Sequence, residues 1–165
     1  MEVLRTGNIF LTLLLGCIVA SCGGSDEESG DPFTKTIGSE GGSLDGPLNS
    51  KVTVAPGVLK GDTEFSIKLA EEEPENPPFK PVSPFFIFGK EGLKFDKMVT
   101  IRVPFDKGQI PVYNQLPDVK IFITGATGSW EELPTTQPGE DDITVSAGTF
   151  HFSAAAAGVK TGMEK

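Results

Sequence analysis

In the segment Thr63-Glu-Phe-Ser-Ile-Lys-Leu69 every second residue is apolar. A period of two puts Phe65, Ile67 and Leu69 on one face of an extended strand and Glu64, Ser66 and Lys68 on the other. Antiparallel sheets with one covered face and one wet face read this way. The pattern recurs: Val52 and Val54 share a face in Lys51-Val-Thr-Val54, as do Val99, Ile101 and Val103 in residues 98–105. Glycines and prolines separate these segments, and they number 20 and 13 in 165 residues. Pro costs roughly 3 kcal/mol inside a helix and Gly about 1 kcal/mol, so breakers at this density exclude a helical bundle or a coiled coil. A hydrophobic share of 38% with 12 Phe excludes a wholly disordered chain. The expected fold is all-β, a single antiparallel β-sandwich of about nine short strands.

Several segments place the turns. Gly41, Gly57, Gly89, Gly92 and Gly128 fall where strands reverse, and Gly125-Ala-Thr-Gly128 reads as the tip of a hairpin. Residues 70–84, rich in Glu and Pro, read as one exposed loop. Phe85-Phe-Ile-Phe88 reads as a strand covered on both faces, and Leu93-Lys-Phe95 as a brief separate one. The last expected strand is Gly148-Thr-Phe-His-Phe-Ser153, with Phe150 and Phe152 on the core face and His151 and Ser153 opposite. The run Ala154-Ala-Ala-Ala157 and the tail beyond it carry little strand signal. Trp130 is expected to cover a sandwich edge.

The N-terminus reads as an address. Ile9 to Ala20 is apolar but too short to span a bilayer, which needs ~20 residues, and it suits a signal peptide. Val19-Ala20-Ser21-Cys22 resembles the bacterial lipobox. The resemblance implies cleavage between Ser21 and Cys22, a diacylglyceryl group on the Cys22 thiol and acylation of the new amino group. Leu14-Leu-Gly-Cys17 is a looser match, and Cys22 is preferred because it ends the apolar run. With Cys17 removed and Cys22 acylated, no thiol is left for a disulfide, and more than one acyl chain gives a stable anchor. Residues 23–31 contain no apolar side chain and read as a flexible acidic tether. Ser25-Asp26-Glu27-Glu28 resembles the surface-export signal of Bacteroidota lipoproteins; the other reading is a solvated linker. Gly23, rather than Asp, follows Cys22, which favours the outer membrane, on its periplasmic or surface-exposed face. The division is then signal peptide 1–21, lipidated Cys and tether 22–32, sandwich 33–157 and tail 158–165.

Three segments match one pattern in order and spacing. Gly41-Gly-Ser-Leu44 precedes Val52-Thr-Val-Ala-Pro-Gly57 and Asp62-Thr63; Phe88-Gly-Lys-Glu-Gly92-Leu-Lys-Phe95 leads into Val99; Trp130-Glu-Glu-Leu133 precedes His151-Phe152-Ser153. Together they resemble the ZU5 domain, over residues 33–157. The resemblance implies a β-sandwich used as an interaction module. In some relatives a matching His-Phe-Ser is a self-cleavage site. Carried over, Ser153 Oγ would attack the Phe152 carbonyl with His151 as base, which needs a strained peptide bond and an oxyanion donor. The competing reading is an ordinary core strand.

Other chemistry has little support. One His cannot build a zinc cluster, no P-loop or Gly-x-Ser-x-Gly spacing occurs, and Asp141-Asp142 offers too few oxygens for calcium. A net charge of −9 disfavours nucleic acid. The expected function is that of a membrane-anchored envelope lipoprotein with no cofactor or metal, binding an unknown protein or glycan without catalysis.

Overall fold

The alternating segments become strands, and their apolar residues turn to a shared interior. The computed structural model describes residues 33–161 apart from Glu75 and Glu91. The signal-peptide, lipidation and export-signal readings, including Ser21, Cys22, Ser25, Asp26, Glu27 and Glu28, lie outside the described residues. The strands are β1 (Thr34–Ile37), β2 (Gly42–Asp45), β3 (Lys51–Val54), β4 (Thr63–Leu69), β5 (Phe79–Pro81) and β6 (Phe86–Phe88). They continue with β7 (Lys94–Pro104), β8 (Lys120–Thr124), β9 (Trp130–Glu132), β10 (Thr144–His151) and β11 (Ala154–Lys160). No α-helix occurs among the described residues.

All pairings are antiparallel and form two sheets. The larger runs β1-β4-β6-β11-β8-β9, with β5 also paired to β11, and the smaller runs β10-β7-β3-β2. Phe65, Ile67, Phe88, Ile121 and Ile123 of the larger sheet face Val52, Val99, Ile101 and Val103 of the smaller one in a single buried core. This is the expected sandwich. The outer face of the small sheet carries charged pairs. There Lys51 hydrogen-bonds Asp45 and Lys60 hydrogen-bonds Asp96, and each contact holds the carboxylate below its usual range.

Among the described residues the strand count is eleven rather than about nine, and the differences have physical causes. Residues 94–104 form one continuous strand where two were expected, because β7 pairs with β10 from Val99 to Pro104 and again at Lys94, across the irregularity at 95–98. The supposed loop 70–84 contains β5, whose Phe79 is buried, as is Val82 just after it. Phe85 to Phe88 is not covered on both faces throughout, since Ile87 is 37% exposed.

The largest correction is β11. The Ala-rich run is the central strand of the larger sheet, pairing with β5 and β6 on one edge and β8 on the other, and it extends past residue 157 to Lys160. Ala155, Ala157 and Val159 join the main core. Ala156 lies under a second cluster on the outer face, built from Phe79, Phe85, Phe122 and Trp130. Phe79 stacks on Phe122 at 4.1 Å, and Trp130 meets Phe79 edge-on at 5.1 Å. A strand buried on both faces has no alternation to show. Its side chains must also be small: a Cβ on Gly158 would lie 2.2 Å from Phe79 Cδ2.

Gly158→Ala should therefore destabilise the fold by roughly 1–3 kcal/mol, the usual cost of overpacking a tight core. A lowered urea midpoint checks this, and an unchanged midpoint would contradict the close packing of Phe79 on β11.

Candidate functional site

The His-Phe-Ser segment lies where the chain changes sheets. β10 keeps regular register with β7 up to Thr149 opposite Val99, then shifts before His151 pairs with Lys94. Between these pairs a single residue of β10, Phe150, faces four of β7, 95–98, so the bulge lies in β7, where extra residues bend a strand. Phe150 is 56% exposed because it continues the outward set of β10, opposite the buried Val145, Ala147 and Thr149. It does not share the core face with Phe152 as expected, since Phe152 lies beyond the strand in the crossing. The buried Thr149 hydroxyl bridges the irregularity. It donates to the His151 carbonyl at 2.8 Å and accepts from the His151 N–H at 3.3 Å.

Phe152 and Ser153 then carry the chain from β10 in the small sheet to β11 in the large one. Strands that switch sheets make the corners of a sandwich, often through bulges. Phe152 is wholly buried and fills that corner. Its ring meets Phe95 edge-on at 4.8 Å and Phe65 edge-on at 5.4 Å. Gly89 makes room for it: a Cβ there would lie 2.2 Å from Phe152 Cδ2, and its φ of 61° suits glycine.

Both sheets bond the corner's backbone. Phe152 N–H donates to Leu93 O at 2.8 Å, and Gly92 N–H donates to Phe152 O at 3.1 Å. Phe88 N–H donates to Ser153 O at 3.3 Å. Among the described residues no peptide bond is cis, and neither Phe152 nor Ser153 has a positive φ.

The structure brings His151, Phe152 and Ser153 together but aims His151 and Ser153 at a third residue, Thr124 at the end of β8. His151 Nε2 lies 3.1 Å from the Thr124 carbonyl. A carbonyl only accepts, so Nε2 carries the hydrogen. Thr124 Oγ1 donates to Ala154 O at 3.3 Å and makes a short contact with Ser153 Oγ. Either hydroxyl can donate in that contact. The Ser153 hydroxyl, 5% exposed, is thus engaged by a threonine and not by an imidazole. The base–nucleophile contact expected for self-cleavage is not formed. The Gly92 N–H does supply a donor on the Phe152 carbonyl, as an oxyanion site would require.

Beside the corner opens a groove of about 780 Å³. Its walls include Lys94, Phe95, Glu131, Phe150, His151 and the Gly125 to Gly128 turn. Glu131 folds over Gly125, where a Cβ would approach its Oε1 to 2.4 Å. Sequence reasoning missed Thr124, Glu131 and the role of Phe150, since none belongs to a motif. Trp130 packs on the outer aromatic cluster and is absent from the groove lining. Asp142 accepts from Gly139 N–H in an exposed turn. No group of His, Cys, Asp and Glu suited to a metal occurs among the described residues.

Compared with known proteins, the chain matches no family model and no curated protein.

If the corner holds the sheets together, Phe152→Ala should cost about 3–5 kcal/mol of stability. Ser153→Ala removes one hydrogen bond and should cost about 1 kcal/mol. Urea unfolding of both variants checks the order, and equal small losses would contradict it.

Proposed function

We propose that this chain is a membrane-anchored lipoprotein of the cell envelope whose ZU5-like β-sandwich is a non-catalytic module that binds a protein or a glycan. The observation that carries the non-catalytic part is the engagement of Thr124 with both His151 and Ser153. A nucleophile needs its base within hydrogen-bond reach, and here each group is held by a separate bond that closes the sandwich corner. The anchor rests on the sequence. Val19-Ala20-Ser21-Cys22 is followed by the polar stretch 23–31, and the sandwich begins immediately after it. Acyl chains on Cys22 would hold the domain at the membrane while the tether lets it search the space beside it. Placement on the outer membrane follows from Gly23 and from Ser25-Asp26-Glu27-Glu28 as a surface-export signal.

The second reading is self-cleavage between Phe152 and Ser153. The Gly92 N–H on the Phe152 carbonyl favours it, because the same bond would stabilise a developing oxyanion. The engagement of Ser153 by Thr124, with no hydrogen bond to His151, weighs against it.

Two measurements test the proposal. Cells fed a labelled fatty acid should label the wild-type protein and not Cys22→Ser; unchanged labelling of that variant would move the anchor to Cys17 or remove it. The mature protein should keep a single intact mass through long incubation. Fragments divided at Phe152-Ser153, and lost in Ser153→Ala, would replace the binding-module reading with self-cleavage.

A further inference from the structure

We infer that the groove beside the sandwich corner is a binding site for a neutral saccharide, with one sugar ring stacked on Phe150. This deepens the binding-module reading and rests on it, since it names the ligand class that the module would take.

The outward face of β10 is the first ground. Phe150 falls on it, next to the buried Thr149, and its side chain is 56% exposed at the wall of the groove. An aromatic ring fixed on a rigid strand offers a flat apolar face with little motion to freeze on binding. The second ground is the pair of charged groups around it. Lys94 lies on β7 and Glu131 on β9, both line the groove, and among the described residues no ion pair joins them. Glu131 is seated over Gly125, which places an acceptor beside the hairpin turn. Lys94 supplies donors, and His151 adds a ring nitrogen, Nδ1, on the side away from Thr124. Gly92, Gly125 and Gly128 carry no side chain and Ala126 only a methyl group, so backbone polar groups lie close to the groove surface.

Ligand classes can be compared on these groups. A purely apolar ligand would gain Phe150 but strip water from Lys94 and Glu131 without replacing it, which is costly. An anion would meet Glu131 and the protein's net charge of −9, and a cation would meet Lys94. A sugar ring has an apolar C–H face for the phenyl group and hydroxyls that both donate and accept. It can satisfy the carboxylate, the ammonium and the imidazole at once with no charge of its own. A volume of about 780 Å³ exceeds a single ring and suits a short oligosaccharide.

The test uses the full-length protein in detergent, titrated separately with cellobiose, maltose, N,N′-diacetylchitobiose and trialanine. Backbone amide shifts of Gly125, Gly128, Glu131 and His151 report on the groove. At least one disaccharide should move them in a saturable way, and trialanine should not. Phe150→Ala should weaken that binding about tenfold, and Glu131→Gln about threefold. Both side chains are exposed, and an unchanged spectrum away from the groove confirms that the variants fold. No shift with any disaccharide, unchanged affinity in Phe150→Ala, or binding of trialanine alone would each overturn the inference. A disaccharide that binds and is then cleaved would sustain the site and overturn the non-catalytic reading. Absence of binding would overturn the site and leave the anchor and the intact mass untouched.

Discussion

The structure depends on a two-residue crossing. β10 ends at His151 in the small sheet and β11 begins at Ala154 in the large one, so the peptide units of Phe152 and Ser153 bind the sheets covalently at one end. A crossing this short leaves no slack. Phe152 must enter the core, and its polar backbone must find partners there, because an unpaired buried group costs as much as a lost hydrogen bond. Leu93, Gly92 and Phe88 provide those partners from the segments that precede β7 and end β6. Thr124 then ties the side chains of His151 and Ser153 to the end of β8. What looks in sequence like a reactive triplet is, in three dimensions, the joint of the sandwich.

The joint also explains the strand that follows it. Leaving the corner, β11 runs through the middle of the larger sheet and is covered on both faces, by the core on one side and by Phe79, Phe85, Phe122 and Trp130 on the other. Large side chains cannot fit on such a strand, and Ala and Gly can. Poor intrinsic β propensity is overridden by burial. The outer aromatics thereby give the larger sheet a second small core. On the outer face of the small sheet Asp45 pairs with Lys51. The groove opens at the corner end, where a rigid strand, a hairpin turn and the start of β7 converge, so its walls are held by the same contacts that hold the fold.

Much of this was legible in sequence wherever a strand has one wet face. Phe65 and Ile67, Val52 and Val54, and Val99, Ile101 and Val103 are all buried as their alternation implied, whereas Leu69, expected on the face of Phe65 and Ile67, is 42% exposed at the end of β4. Gly41, Gly57, Gly89, Gly92 and Gly128 all have positive φ, as turn residues should. Legibility failed where the physics has no period. β11 shows none because both faces are dry. β5 is hidden by the prolines around it, which mark loops in most settings. Phe150 misleads because its face was set from Phe152, which lies past the end of β10 in the crossing, where alternation no longer holds. The site was half legible: His151 and Ser153 stood out as chemistry, but Thr124, which decides what they do, is distant in sequence and ordinary in type.

Native-state hydrogen exchange at the corner tests this account most directly. If the crossing is the joint of the sandwich, the amides of Phe152, Gly92 and Phe88 can open only when the sheets separate. Their exchange free energies should then equal that of global unfolding and match those of Ile101 and Ile123 in the core strands. Exchange of the three corner amides through a local opening well below the global value, with the core strands still protected, would contradict it.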